Sequence, residues 1–142
     1  WIITNNADVN PYFENSEPAI VDIYPTIGRH LGLDIPGKLQ QELDGVPFMG
    51  ELSISNPSAT YDEKSKTIDL QWTSWDDSGD VTMWLTTTHD FSRGGRDSYE
   101  RLTRIPVATR QATLDVSEIP SDFYKIVLEA PHNTVNRWVV VE

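Results

Sequence analysis

The chain of 142 residues contains no cysteine, which excludes disulfides and thiolate zinc sites. Basic residues are scarce: 11 Lys and Arg stand against 22 Asp and Glu, a formal net charge of −11. A surface so negative repels phosphate backbones and anionic lipid, so neither a nucleic-acid partner nor membrane binding is expected. No stretch approaches the ~20 consecutive apolar residues of a membrane span, and no charged-then-apolar leader opens the sequence. Histidine is rare as well. His30, His89 and His132 lack the H-x-x-x-H or D-x-H spacing of metal ligands. His30 reads as a helix residue near a C-terminal dipole, and the other two read as loop or turn residues.

What is present is ordinary for a globular protein, 38% hydrophobic and 23% charged. The length suits one domain, or one domain plus a piece of another. The first residues, "WIIT", form an apolar β-type run without an initiator Met, which reads as a cut through a folded protein.

Residues 20–36, "IVDIYPTIGRHLGLDIP", predict a short helix with both ends specified. With Asp22 as N-cap, Pro25 falls in the first turn, where its missing N–H costs little. Ile23, Ile27 and Leu31, with Tyr24 alongside, make one apolar stripe. Gly32 is the expected C′ residue, Leu33 its apolar partner, and Pro36 blocks continuation. A helix over 23–31 is too short to persist alone in water and needs a larger body to pack on.

"WIITNN", "VDIYPTIGRHLGLDIP" and "LDGVPF" together resemble the last stretch of the catalytic domain of the alkaline phosphatase superfamily. The nearest branches are the type I phosphodiesterases/nucleotide pyrophosphatases and the sulfatases. The corresponding segments are Trp1–Thr4, Asp22–Leu33 and Asp44–Phe48, so the likeness covers roughly residues 1–49. It implies a parent hydrolase with two divalent metal ions, zinc above all, or one calcium if sulfatase-like. It also implies a periplasmic or extracellular location and, as first partner, the chain's own upstream catalytic domain. In that family the nucleophile and the metal ligands precede the first of these segments. None is therefore carried over, and this chain alone is expected to hold no cofactor and no catalytic residue.

From Gly50 the period becomes two. Strands are predicted at 51–61, 66–74, 80–88, 98–105, 110–116, 123–130 and 135–141, separated by turn clusters such as "DDSGD" and "PHNT". Seven short strands in residues 50–142 predict an antiparallel β-sandwich, so the fold class is mainly β with a short strand–helix unit before it. Trp72 in "DLQW" and the run "EIPSDFYKIVLEA" resemble the fibronectin type III module, with an immunoglobulin-like sandwich as the neighbouring possibility. The resemblance makes Trp72 an inward core residue. It also has the Tyr124 ring in the core and its hydroxyl bonded back to the strand corner.

Three acidic residues in 76–80 read as a solvated hairpin turn, since the spacing of a calcium loop is missing. "RGGRD", residues 93–97, reads as an inter-strand loop, with anion cradling as the sharper alternative. Trp75 and Trp84 fall opposite the core-facing alternation and are the candidate binding residues, for a glycan or a docking partner. Three roles follow for the sandwich: accessory domain of a hydrolase, carbohydrate- or surface-binding module, or homo-oligomerisation domain.

Overall fold

A computed structural model of the protein describes residues 8–141; the strand expected at Trp1–Thr4 lies outside them. Seven antiparallel strands form two sheets: β1 (Ile54–Asp62), β2 (Thr67–Ser74), β3 (Asp80–Thr86), β4 (Glu100–Pro106), β5 (Gln111–Asp115), β6 (Phe123–Glu129) and β7 (Thr134–Val140). One sheet has the order β1-β2-β5 and the other β4-β3-β6-β7. The period-two alternation sets the faces. Ile68, Leu70 and Trp72 of β2 face Val81, Met83 and Leu85 of β3 and Tyr124, Ile126 and Leu128 of β6 in one buried cluster. Each such aliphatic side chain contributes about 1.5–3 kcal/mol by leaving water.

Two aromatic residues anchor this core. The Trp72 indole N–H donates to the Val107 carbonyl over 3.0 Å, so its polar atom is satisfied as well as buried. The Tyr124 hydroxyl donates to the Ile119 carbonyl over 2.7 Å, tying the entry of β6 to the preceding corner. Burial pushes the Tyr124 phenol up from its ordinary value, because the ionised form would lose its hydration. Edge strand β1 carries Pro57 at a bulge where Asn56 is left-handed, at φ 50°. A proline is tolerated there because an edge strand leaves amides unpaired.

The helix predicted at 23–31 is present as α1 (Ile23–His30), with a second short helix α2 (Gly37–Gln40) after it. Gly32, at φ 63°, ends α1. The Gly32 N–H donates to Arg29 and the Leu33 N–H to Gly28, the paired bonds of a Schellman ending. Residues 41–44 then cross the outer face of the four-stranded sheet. Under them Lys125 is only 3% exposed although it points away from the core.

Candidate functional site

The N-terminal stretch is organised by one polar face of α1. Asp22, Thr26 and Arg29 are spaced four and three apart and so share a helix face. Each grips the backbone of residues 46–51 in turn. Asp22 Oδ1 accepts from the Val46 N–H over 2.7 Å. Thr26 Oγ1 accepts from the Phe48 N–H over 2.8 Å, while its own proton goes to the Asp22 carbonyl over 2.6 Å. Arg29 donates to the carbonyls of Met49 over 2.9 Å and Glu51 over 2.6 Å, and also to that of His132 in the β6–β7 turn. Burial lowers the Arg29 pKa, an effect that Glu51 partly offsets.

This geometry corrects the role expected of Asp22. It is helical at φ −76° and makes no side-chain cap on α1. A 3-10 turn over Ile20–Asp22 precedes the helix, so Asp22 Oδ2 reaches back to the Ala19 N–H over 2.8 Å. The carboxylate was free to serve a distant amide because a turn, rather than an extended residue, enters the helix. Pro25 remains in the first turn, where it leaves the Val21 carbonyl without a helical donor. Gly45 packs directly on that oxygen: a Cβ there would lie 2.1 Å from it. The Gly45 hydrogen pointing at the carbonyl offers it a weak C–H contact.

The opposite face of α1 is bare. Ile20 is 83%, Ile27 49% and Leu31 62% exposed, with Ile23, Tyr24 and Leu33 also open. Gly28 is the buried residue of the helix. An amphipathic helix ordinarily turns its apolar stripe inward; this one is inverted.

The two candidate tryptophans occupy separate settings. Trp75 lies beyond the end of β2, where its indole N–H donates to Ser55 Oγ over 2.8 Å and Tyr12 meets its ring edge-on at 6.4 Å. Phe13 and Phe48 extend that aromatic contact into the N-terminal stretch. Trp84 sits on the outer face of β3, half-buried, and donates to Glu129 Oε2 over 2.7 Å.

Two functional-looking groups lie outside the candidate site residues named from the sequence. Lys125 Nζ lies 2.6 Å from Glu42 Oε2, both side chains over nine-tenths buried. It also sits over the rings of Tyr99 and Trp138. The Tyr99 hydroxyl donates to the other Glu42 oxygen over 2.8 Å; burial, then that carboxylate, drives its pKa far up. Within an apolar strand a lysine normally signals solvent, so its buried partner was not legible. His132 is the other. Its Nδ1 lies 3.2 Å from Glu51 and its Nε2 3.5 Å from Asp76. The two ring nitrogens point at different carboxylates and do not converge on one centre. Among the described residues no three His, Asp or Glu side chains are grouped to hold a metal ion.

Comparisons with protein-family models, with curated proteins and with solved structures return no match to this chain.

Proposed function

We propose that the chain is the non-catalytic C-terminal portion of a metal-dependent hydrolase of the alkaline phosphatase superfamily. Residues 1–49 would complete the catalytic domain, and residues 50–142 would form a fibronectin type III-like accessory domain. The inverted polarity of α1 carries this reading. Its polar face is spent on the chain's own backbone, and its apolar face, with Ile20 and Leu33 beside it, has nothing in the described residues to cover it. Exposed apolar surface of this kind marks a protein contact, and the upstream catalytic domain is the partner that the "DIYPT" and "DGVPF" segments imply. The strand order supports the second part. In an immunoglobulin constant domain the fourth strand joins the first, second and fifth, whereas here β4 lies beside β3.

Under this reading the polypeptide alone has no phosphatase, phosphodiesterase or sulfatase activity, because nucleophile and metal ligands lie upstream. Metal-dependent turnover by the isolated chain on aryl phosphate, phosphodiester or sulfate esters would overturn it. So would an upstream sequence without an Asp-x-His or His-Gly metal segment. Ile27→Asp gives the finer test. It should change the stability of the isolated chain by no more than about 0.5 kcal/mol, as surface changes do, yet weaken docking of this portion in the parent. Equal effects in both would place the stripe inside the chain's own fold.

A further inference from the structure

A cleft on the outer face of the four-stranded sheet separates α2 from the β3–β4 loop. Two lobes of ≈ 550 and ≈ 520 Å³ share Lys38, Gln41, Arg96 and Asp97 in their linings. These volumes fall in the range of small-ligand sites. Trp84 lines the first lobe, with Glu129 beside it. The "RGGRD" loop forms one wall without acting as an anion cradle: the Gly94 and Gly95 N–H groups already donate to Phe91 and Asp90.

The polar groups of this cleft are balanced in sign and only half used. Lys38 on one wall and Arg96 on the other are exposed and make no hydrogen bond or ion pair among the described residues. The Gln41 side chain is likewise uncommitted. Asp97 uses one oxygen, Oδ1, for the Thr88 hydroxyl and the Asp90 N–H. Glu129 uses one oxygen for Trp84. Glu42, which also lines the second lobe, is met by Lys125; the remaining two cations and two carboxylates cancel, although the protein as a whole carries −11. A highly charged anion or cation gains little here. A ligand with many neutral hydroxyls gains donors from Lys38, Arg96 and Gln41 and acceptors from the free oxygens of Asp97 and Glu129.

We propose that this cleft binds a neutral saccharide unit of a glycan chain, one pyranose ring stacking its C–H face on Trp84. A half-buried indole already fixed by a hydrogen bond loses little freedom on binding and offers a rigid apolar face. The two joined lobes give the chain a path past the stacked ring. The cleft is lined by this chain's own residues and shares none with the bare face of α1, so its binding stands or falls independently of the hydrolase reading.

The test is titration of the full 142-residue chain with neutral tetrasaccharides of glucose, galactose, mannose or xylose. The indole N–H resonances are followed, that of Trp84 being identified by its loss in Trp84→Phe. At least one sugar should shift the Trp84 signal and leave that of Trp75 in place. Trp84→Ala should abolish binding. The exposed pair Lys38→Ala with Arg96→Ala, which touches no folding contact, should weaken it about tenfold or more, the worth of one charge-assisted contact. A panel that moves no Trp84 signal overturns the proposal. So does binding that survives the Lys38/Arg96 pair unchanged, or that is stronger for a uronate tetrasaccharide than for its neutral counterpart.

Discussion

The sandwich and the stretch before it are held by different physics. From Ile54 onward the chain buries apolar side chains between two sheets, and its polar atoms are incidental to that core. Before Ile54 the order reverses: Asp22, Thr26 and Arg29 hold the backbone by named polar bonds and Glu42 ties to the Lys125 side chain, while much of the apolar surface stays in water. That stretch also carries a buried side-chain donor, Asn10 Nδ2, without a partner among the described residues. Burial is non-directional and cooperative, whereas hydrogen bonds contribute only about 0.5–1.5 kcal/mol each. The two regions are therefore expected to open differently.

The largest effect should come from the sandwich. Trp72→Ala should cost about 3–5 kcal/mol in denaturant unfolding, the range for a buried aromatic. A loss under about 1 kcal/mol would mean that the core is not anchored there. Next comes the polar tie. Glu42→Ala leaves Lys125 buried between two rings without a counter-charge, at a cost of about 3 kcal/mol. Replacing both residues by leucine should recover most of it; a double variant as unstable as the single would deny the pair its role.

Amide exchange sharpens the comparison most directly. Amides of 23–30 should exchange at least ~100-fold faster than those of 123–129, since local opening follows buried contact. Equal protection would merge the two regions into one cooperative unit. The smallest effect is acid sensitivity. Turn hydrogen bonds hold Asp62, Asp76, Asp77 and Asp115 below 3.8: the Lys64 amide for the first, the Ser78 and Ser74 hydroxyls for the next two, the Ser117 amide for the last. A carboxylate whose folded pKa lies below its unfolded value adds stability above the unfolded value and loses it as pH falls through the folded one. Melting temperature should thus decline modestly from ~pH 5 to ~pH 2. All four lie at the surface, so each contributes little, and a steep collapse over this range would contradict the account.

The sandwich was legible because its signal is local. Alternation in "TIDLQW" and "FYKIVLEA" assigns faces without knowledge of any partner, and the ending of α1 at Gly32 needs only φ freedom. The strand starting at Ile54 rather than Glu51 shows the usual uncertainty of ends. What the sequence hid depends on distant backbone. An aspartate before a helix reads as a cap, and only the approach of Val46 gives Asp22 its actual work. Amphipathicity gave the stripe of α1 but not its direction, because direction depends on what lies beside it. The candidate Trp84 was visible as an outward residue; the cleft around it needed α2, which had no periodic signature over four residues.

Arg29 carries a consequence of its own. One guanidinium collects three carbonyl oxygens from two separated segments, residues 49 and 51 in one and 132 in the other. Backbone carbonyls turned on a positive charge are also one part of the oxygen shell that proteins build for a calcium ion. Here the cation is part of the chain and cannot dissociate. The joint between α1 and the sandwich should therefore hold its angle in the presence of chelator. Arg29→Lys, which keeps the charge but loses the planar fork, should turn a fixed bracket into a swivel.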